Sequence, residues 1–265
     1  MRTLTLFTCA LLVSTTVSAK PGSKKLPLPG ETFEVEGHAA FVILPTENQR
    51  RAVPTPWVWY APTLPALPAK EERWMFERWL SRGIAIAGID AGESYGSPAG
   101  RRLFSAMHKH LVTQLGFSSR ACLLARSRGG LMHYNWASEN PEKVACIAGI
   151  YPVCNLSSWP GLKRACGAYG LDASGLKSAL GKHNPIARLA PLASAKIPIF
   201  HIHGDQDRVV PLEDNSGLVA ALYEKAGGPV TLKVIKKQGH NMWPGWFQDQ
   251  DLVNFVISHA DSKAK

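Results

Sequence analysis

Cysteine is scarce in this chain, with five residues in 265, too few for a disulfide-framed mini-protein. None of their spacings fits a zinc site. Charged residues make up only 19% of the chain against 45% apolar. That balance excludes a disordered polymer, because a chain this apolar buries a core. The 30 Lys+Arg outnumber the 20 Asp+Glu, giving +10, yet no run of five basic residues occurs. A basic arm for nucleic acid is therefore not indicated. Internal repeats and a composition break are also lacking, so a single α/β domain is expected, a class that often reaches about 250 residues.

A stretch apolar enough to span a bilayer comfortably is missing too. The nearest to one runs from Leu4 to Val17. It follows the basic start Met1-Arg2 and ends on the small residues Val17-Ser18-Ala19. These features together make a secretory signal peptide over residues 1–19. Residues 20–265 are then expected to be a single mature domain, secreted or periplasmic and not inserted in a membrane. Phe7 and Thr8 do not suit a lipoprotein signal at Cys9. Export changes how the other cysteines read. Cys122 and Cys146 lie in apolar runs, as small hydrophobes do. Cys154 and Cys166 flank a Trp-Pro-Gly turn, and an oxidising compartment favours a disulfide between them.

The remaining pattern alternates strands and helices. Strands are expected at 33–36, 40–44, 56–60, 84–89, 121–125, 144–150, 197–202 and 230–235. Helices are expected at 71–82, 99–115, from the elbow through Ala137, 213–225 and 246–259. Most of these strands are apolar without alternation, the pattern of a parallel sheet covered on both faces. Repeated strand–helix units point to an α/β fold with a mostly parallel sheet of about eight strands flanked by helices. Residues 154–190 break the rhythm. They are rich in Gly, Pro, Ser and Ala and read as an insertion after the sixth strand, with one short helical piece near Ala173 to Leu180.

Three motifs carry chemistry. Ala125-Arg126-Ser127-Arg128-Gly129-Gly130 falls between a strand and a helix. It has the small-x-nucleophile-x-small form of a nucleophile elbow, with Ala125 where G-x-S-x-G has its first glycine. Small flanks are needed because the nucleophile sits in a strained, tight turn. That turn offers the Arg128 N–H, at a helix N-terminus, to an oxyanion. The second motif, His201 to Pro211, leaves a strand through Gly204-Asp205-Gln206-Asp207. Asp207 is the candidate for orienting an imidazole, and Asp205 the candidate for shaping the turn. The third is Gln238-Gly239-His240-Asn241, just past the last strand. His108, His183 and His203 read as ordinary polar or packed residues.

The order Ser127, Asp207, His240 is the chain order of an α/β-hydrolase triad. On these motifs the chain resembles the α/β-hydrolase superfamily. It is similar in particular to single-domain dienelactone-hydrolase and prolyl-oligopeptidase-like secreted bacterial serine hydrolases. The resemblance implies Ser127 as nucleophile, His240 as base and Asp207 as its orienting acid, without metal or organic cofactor. Where many esterases keep a His-Gly-Gly, this chain has Tyr60-Ala61-Pro62-Thr63. Pro62 has no N–H, so Thr63 or Ala61 supplies the second oxyanion donor.

The substrate is less legible. Arg126 and Arg128 flank the serine. A Ser-Arg elbow is also partly similar to glucuronoyl esterases, in which the arginine helps bind an acidic sugar ester. The arginines read either as substrate-binding groups or as structural pairs beneath the elbow, Arg128 then pairing with Asp90 or Glu93. Trp243 and Trp246 lie beside His240 and are candidate linings of a cleft for sugar or aromatic groups. Carboxylic-ester hydrolysis, on a small-molecule or glycan ester, is the leading expectation. A prolyl-oligopeptidase-type serine peptidase or amidase is the alternative, and a non-catalytic binding protein on the same scaffold the third.

Overall fold

A computed structural model of the chain describes residues 24–50 and 54–260. The expected signal peptide, residues 1–19, lies outside them. Eight strands form one sheet: β1 (Glu31–Val35), β2 (His38–Ile43), β3 (Trp57–Ala61), β4 (Ala85–Ile89), β5 (Ala121–Arg126), β6 (Val144–Ile150), β7 (Ile199–Gly204) and β8 (Val230–Ile235). Their order is β1-β2-β4-β3-β5-β6-β7-β8. β1 and β2, and β2 and β4, pair antiparallel; every other pairing is parallel. This is the mostly parallel eight-stranded α/β sheet that the pattern of apolar runs implies.

β3 to β7 are buried along their whole length, because helices cover both faces. Alternate residues therefore feed two separate cores. On one face Trp57, Trp59, Leu123 and Ile147 meet Phe104 and Met107 of α2 (Pro98–Gln114) and Trp136 of α3 (Gly129–Ala137). On the other, Val58, Tyr60, Cys122 and Leu124 meet Met75, Phe76 and Trp79 of α1 (Arg73–Leu80) and Leu252, Val253 and Val256 of α9 (Gln250–Ala260). Each such side chain contributes roughly 1.5–3 kcal/mol on burial. Helix ends follow local signals. Ser97 caps α2, accepting from the Gly100 N–H, with Pro98 at the first helical position. Gly83 after α1 and Gly116 after α2 take the left-handed φ of 73° and 68° that glycine adopts at no steric cost.

Between β6 and β7 the insertion folds as α4 (Leu162–Ala165), α5 (Ala173–Ser178) and α6 (Leu180–His183), followed by α7 (Ala190–Ser194). It holds more helix than its composition suggests. A third apolar cluster explains this: Leu156, Ala165 and Leu176 pack on Tyr95, Leu131 and Val210 of the main body. α8 (Ser216–Lys225) covers the far end of the sheet beside β8.

The expected Cys154–Cys166 disulfide is absent; both thiols are free. Cys154 belongs to the sheet core with Leu189 and Tyr134, whereas Cys166 packs at the edge of the insertion cluster. Two cysteines of one short segment thus end in two different layers. Among the described residues no helix is long and apolar enough to cross a membrane, and no group of His, Cys, Asp and Glu could hold a metal ion.

Candidate active site

β5 ends at Arg126, and Ser127 follows with φ at 48°, a strained value for a non-glycine residue. The strain is held by hydrogen bonds on both sides. The Ser127 N–H donates to Ile150 O at 3.0 Å, and its carbonyl accepts the N–H groups of Val153 at 2.8 Å and Gly130 at 3.0 Å. A Cβ on Gly129 would stand 2.0 Å from Ala61 O, and one on Gly130 2.3 Å from Val153 O. The two glycines are thus required by close backbone approach, as the elbow motif implies.

Ser127 Oγ lies 2.9 Å from His240 Nε2, and His240 Nδ1 lies 2.7 Å from Asp207 Oδ2. Burial opposes ionisation of Asp207. Hydrogen bonds from His203, His240 and the Val210 N–H outweigh it and hold the carboxyl well below the usual carboxylate range. An ionised Asp207 assigns the proton of His240 to Nδ1 and leaves Nε2 to accept from the serine hydroxyl. Asp207 Oδ1 accepts from the Val209 and Val210 N–H groups at 3.0 and 2.8 Å, which fixes the carboxylate. Asp205 instead accepts from the Lys237 N–H at 2.6 Å, tying the acid loop to the histidine loop.

At the start of α3 the Arg128 N–H has no acceptor among the described residues, and neither has the Thr63 N–H that follows β3. The Thr63 hydroxyl turns back to Tyr60 O at 3.2 Å. Ala61 abuts the elbow directly, through its contact with Gly129.

Two expected substrate residues are buried. Arg126 is buried on the α1/α9 face, its Nη1 2.5 Å from Glu72 Oε1. The two-residue period of β5 sets it beside Cys122 and Leu124, away from the opening. Trp246 is fully buried, its Nε1–H donating to Asn241 Oδ1 at 2.9 Å, because it is part of the packing that carries the loop into α9. Trp243 stays exposed and meets Trp246 edge-on at 5.3 Å. Arg128 stands at the rim, paired with Glu93, and its guanidinium lies 5.1 Å over the Trp159 ring.

The structure adds three residues that the motifs do not reveal. Tyr151 packs its ring on His240 at 4.3 Å between centroids. His203 is buried; its Nε2 lies 2.9 Å from Val210 O and 3.4 Å from Asp207 Oδ2. Glu72, fully buried, balances Arg126. His203 was within reach of sequence reasoning, since it lies four residues before Asp207 in the same motif. Tyr151 and Glu72 come from segments with no chemical signature.

Fold and site together define a serine hydrolase of the α/β class. The chain belongs to the prolyl oligopeptidase family, which matches residues 104–261, more than half its length. Among solved structures it is similar to puromycin hydrolase (TM-score 0.66, 18% identity, covering 88% of this chain and 38% of that one). It is also similar to a puromycin-hydrolyzing peptidase of Mycobacterium tuberculosis (0.66, 14%, 87% and 40%) and to Porphyromonas gingivalis dipeptidyl peptidase 4 (0.69, 13%, 87% and 35%). At these identities the likeness concerns the fold. The chain spans well under half the length of these proteins. No curated protein matches the sequence.

Proposed function

We propose that this protein hydrolyses amide or peptide bonds through an acyl-enzyme on Ser127. The observation that carries the reading is the continuous hydrogen-bonded chain from Ser127 Oγ through His240 to Asp207. Family membership moves the preference from esters, which the motifs alone favour, towards amides. His240 takes the hydroxyl proton as Ser127 attacks the acyl carbon, then returns it to the leaving amine. Asp207 holds the imidazole tautomer and the charge that forms on it. The Arg128 N–H, with that of Thr63 or Ala61, receives the oxyanion. Water repeats the cycle and frees the acid.

Ester cleavage by the same site needs no other group, since only the leaving atom differs. Apolar Val209, Met242 and Trp243 stand exposed around the Asp207 and His240 loops, which suits an apolar side chain or leaving group of either kind. Export through residues 1–19 remains part of the proposal and predicts a mature chain beginning at Lys20.

A panel of peptide anilides beside p-nitrophenyl esters tests the preference, with fluorophosphonate labelling as the test of the nucleophile. Wild type is expected to be labelled and to cleave anilides; Ser127→Ala is expected to fold and do neither. A labelled protein that cleaves only esters would return the ester reading. A folded wild type that resists the label would favour a non-catalytic binder.

A further inference from the structure

Arg126 is the last residue before the nucleophile, yet it points away from the cleft into an apolar layer. Its Nη1 meets Glu72 Oε1 at 2.5 Å. Glu72 also accepts from the Tyr60 hydroxyl at 2.9 Å and the Ala69 N–H at 2.8 Å. The other edge of the guanidinium serves a different segment. Nη2 reaches Met242 Sδ at 3.1 Å, and the guanidinium carbon stands 5.0 Å over the Phe247 ring. Met242 is two residues beyond His240, and Phe247 leads the same loop towards α9. Arg126 also lies within electrostatic reach of Tyr151, whose ring packs on His240 at 4.3 Å between centroids. One side chain on the strand that leads into Ser127 thus touches the start of α1 and, at two points, the segment that follows His240.

Stability alone does not call for this arrangement. Replacing a buried ion pair by apolar groups of similar volume is often neutral or stabilising. A planar guanidinium fork, however, fixes direction as well as charge. We propose that Arg126 is a positioning residue, which sets the histidine loop against its own strand and so holds His240 Nε2 at hydrogen-bonding distance from Ser127 Oγ. The proposal rests on the catalytic reading of Ser127 and His240.

The test is fluorophosphonate labelling of the full chain, resolved into the maximal rate kinact and the half-saturating concentration KI. The variant Arg126→Met with Glu72→Gln removes the guanidinium and leaves no orphan charge. Its kinact is expected to fall about 10–100-fold, the cost of misplacing a reacting group by about 1 Å, with KI and melting temperature close to wild type. A role confined to stability would lower the melting temperature and leave kinact of the folded protein unchanged, which overturns the proposal. Phe247→Leu leaves the buried pair untouched and serves if the double variant does not fold. It is expected to show a smaller loss in kinact alone, and an unchanged value overturns the proposal. Wild type that is not labelled overturns the catalytic reading itself; wild type that is labelled, beside variants with unaltered kinact, overturns the role of Arg126 only.

Discussion

The Tyr151 ring lies against the His240 imidazole, centroids 4.3 Å apart and planes inclined at 53°. Tyr151 is buried, packs edge-on to Trp246 at 5.4 Å, and takes a left-handed φ of 36° at the end of β6. It forms the wall against which the base is held.

Tyr151→Ala is therefore expected to release the imidazole. Turnover should fall at least about tenfold, since a displaced base loses its alignment, and stability should drop by about 2–5 kcal/mol for the cavity. Tyr151→Phe keeps the ring and should retain turnover within several-fold. Steady-state kinetics beside urea denaturation of both variants check this; equal turnover in the two would remove the ring from the account.

The elbow glycines give a second expectation. Gly130→Ala drives a methyl into the Val153 backbone, and Gly129→Ala drives one into Ala61 O. Each should cost roughly 1–3 kcal/mol, the usual range for overpacking. Gly129→Ala should additionally depress kcat, because Ala61 leads directly to Thr63 and the oxyanion donors. Thermal melts with kcat for each variant separate the two effects, and a Gly129→Ala protein with wild-type kcat would free the donor loop from the elbow.

The triad was legible because elbow, acid loop and histidine loop each carry residues whose chemistry constrains their neighbours. Gly129 and Gly130 are there for the backbone approach just described, and Asp205-Gln206-Asp207 for a turn with two carboxylate tasks. The sheet was legible because helices on both faces demand uninterrupted apolar runs. Sequence leaves Arg126 open between a substrate-binding group and a structural pair beneath the elbow; the buried contact with Glu72 is the second of these, and the period of β5 contains it. Trp246 lies near His240 in the chain, but its ring is fully buried and packs edge-on against Tyr151. The cysteines fail through long-range packing: a pairing inferred from a short loop ignores the layers into which its ends are drawn.

Acid should destabilise the fold before it neutralises the carboxylates. Burial pushes His133 and His201 down to about 3, whereas in the unfolded chain each titrates near 6.5. Above about pH 6.5 neither state is protonated there, so they add no pH dependence. From that point down to about 3 the unfolded chain binds protons that the native chain refuses, and stability falls by up to about 1.4 kcal/mol per pH unit for each residue. Urea denaturation of wild type at pH 7 and pH 5 should show this loss, and His133→Leu with His201→Leu should show a smaller one. The same loss in both proteins would assign the acid sensitivity to other groups.

Thiol chemistry should distinguish the two loop cysteines. Burial pushes the Cys154 thiol well up and leaves its side chain inaccessible, while Cys166 is partly exposed. A brief treatment of the native, non-reduced protein with iodoacetamide should alkylate Cys166 and spare Cys154, with both modified after denaturation. Mass spectrometry finding neither modified before reduction would restore the disulfide.

Ser127 and Tyr151 end neighbouring strands at the same row of the ladder, where Arg126 is paired with Ile150 and Ile150 with Ile202. The Ser127 amide donates to Ile150 and the Tyr151 amide to Ile202. Nucleophile and support therefore share the cooperative unit of the central strands, among the last parts of such a molecule to open to solvent. Amide hydrogens at these two positions are expected to exchange with the core of the sheet, later than those of the surrounding loops. On heating, Ser127 and Tyr151 are then expected to keep their places for as long as the central sheet does, and any earlier slackening to begin in the loops that carry Asp207 and His240.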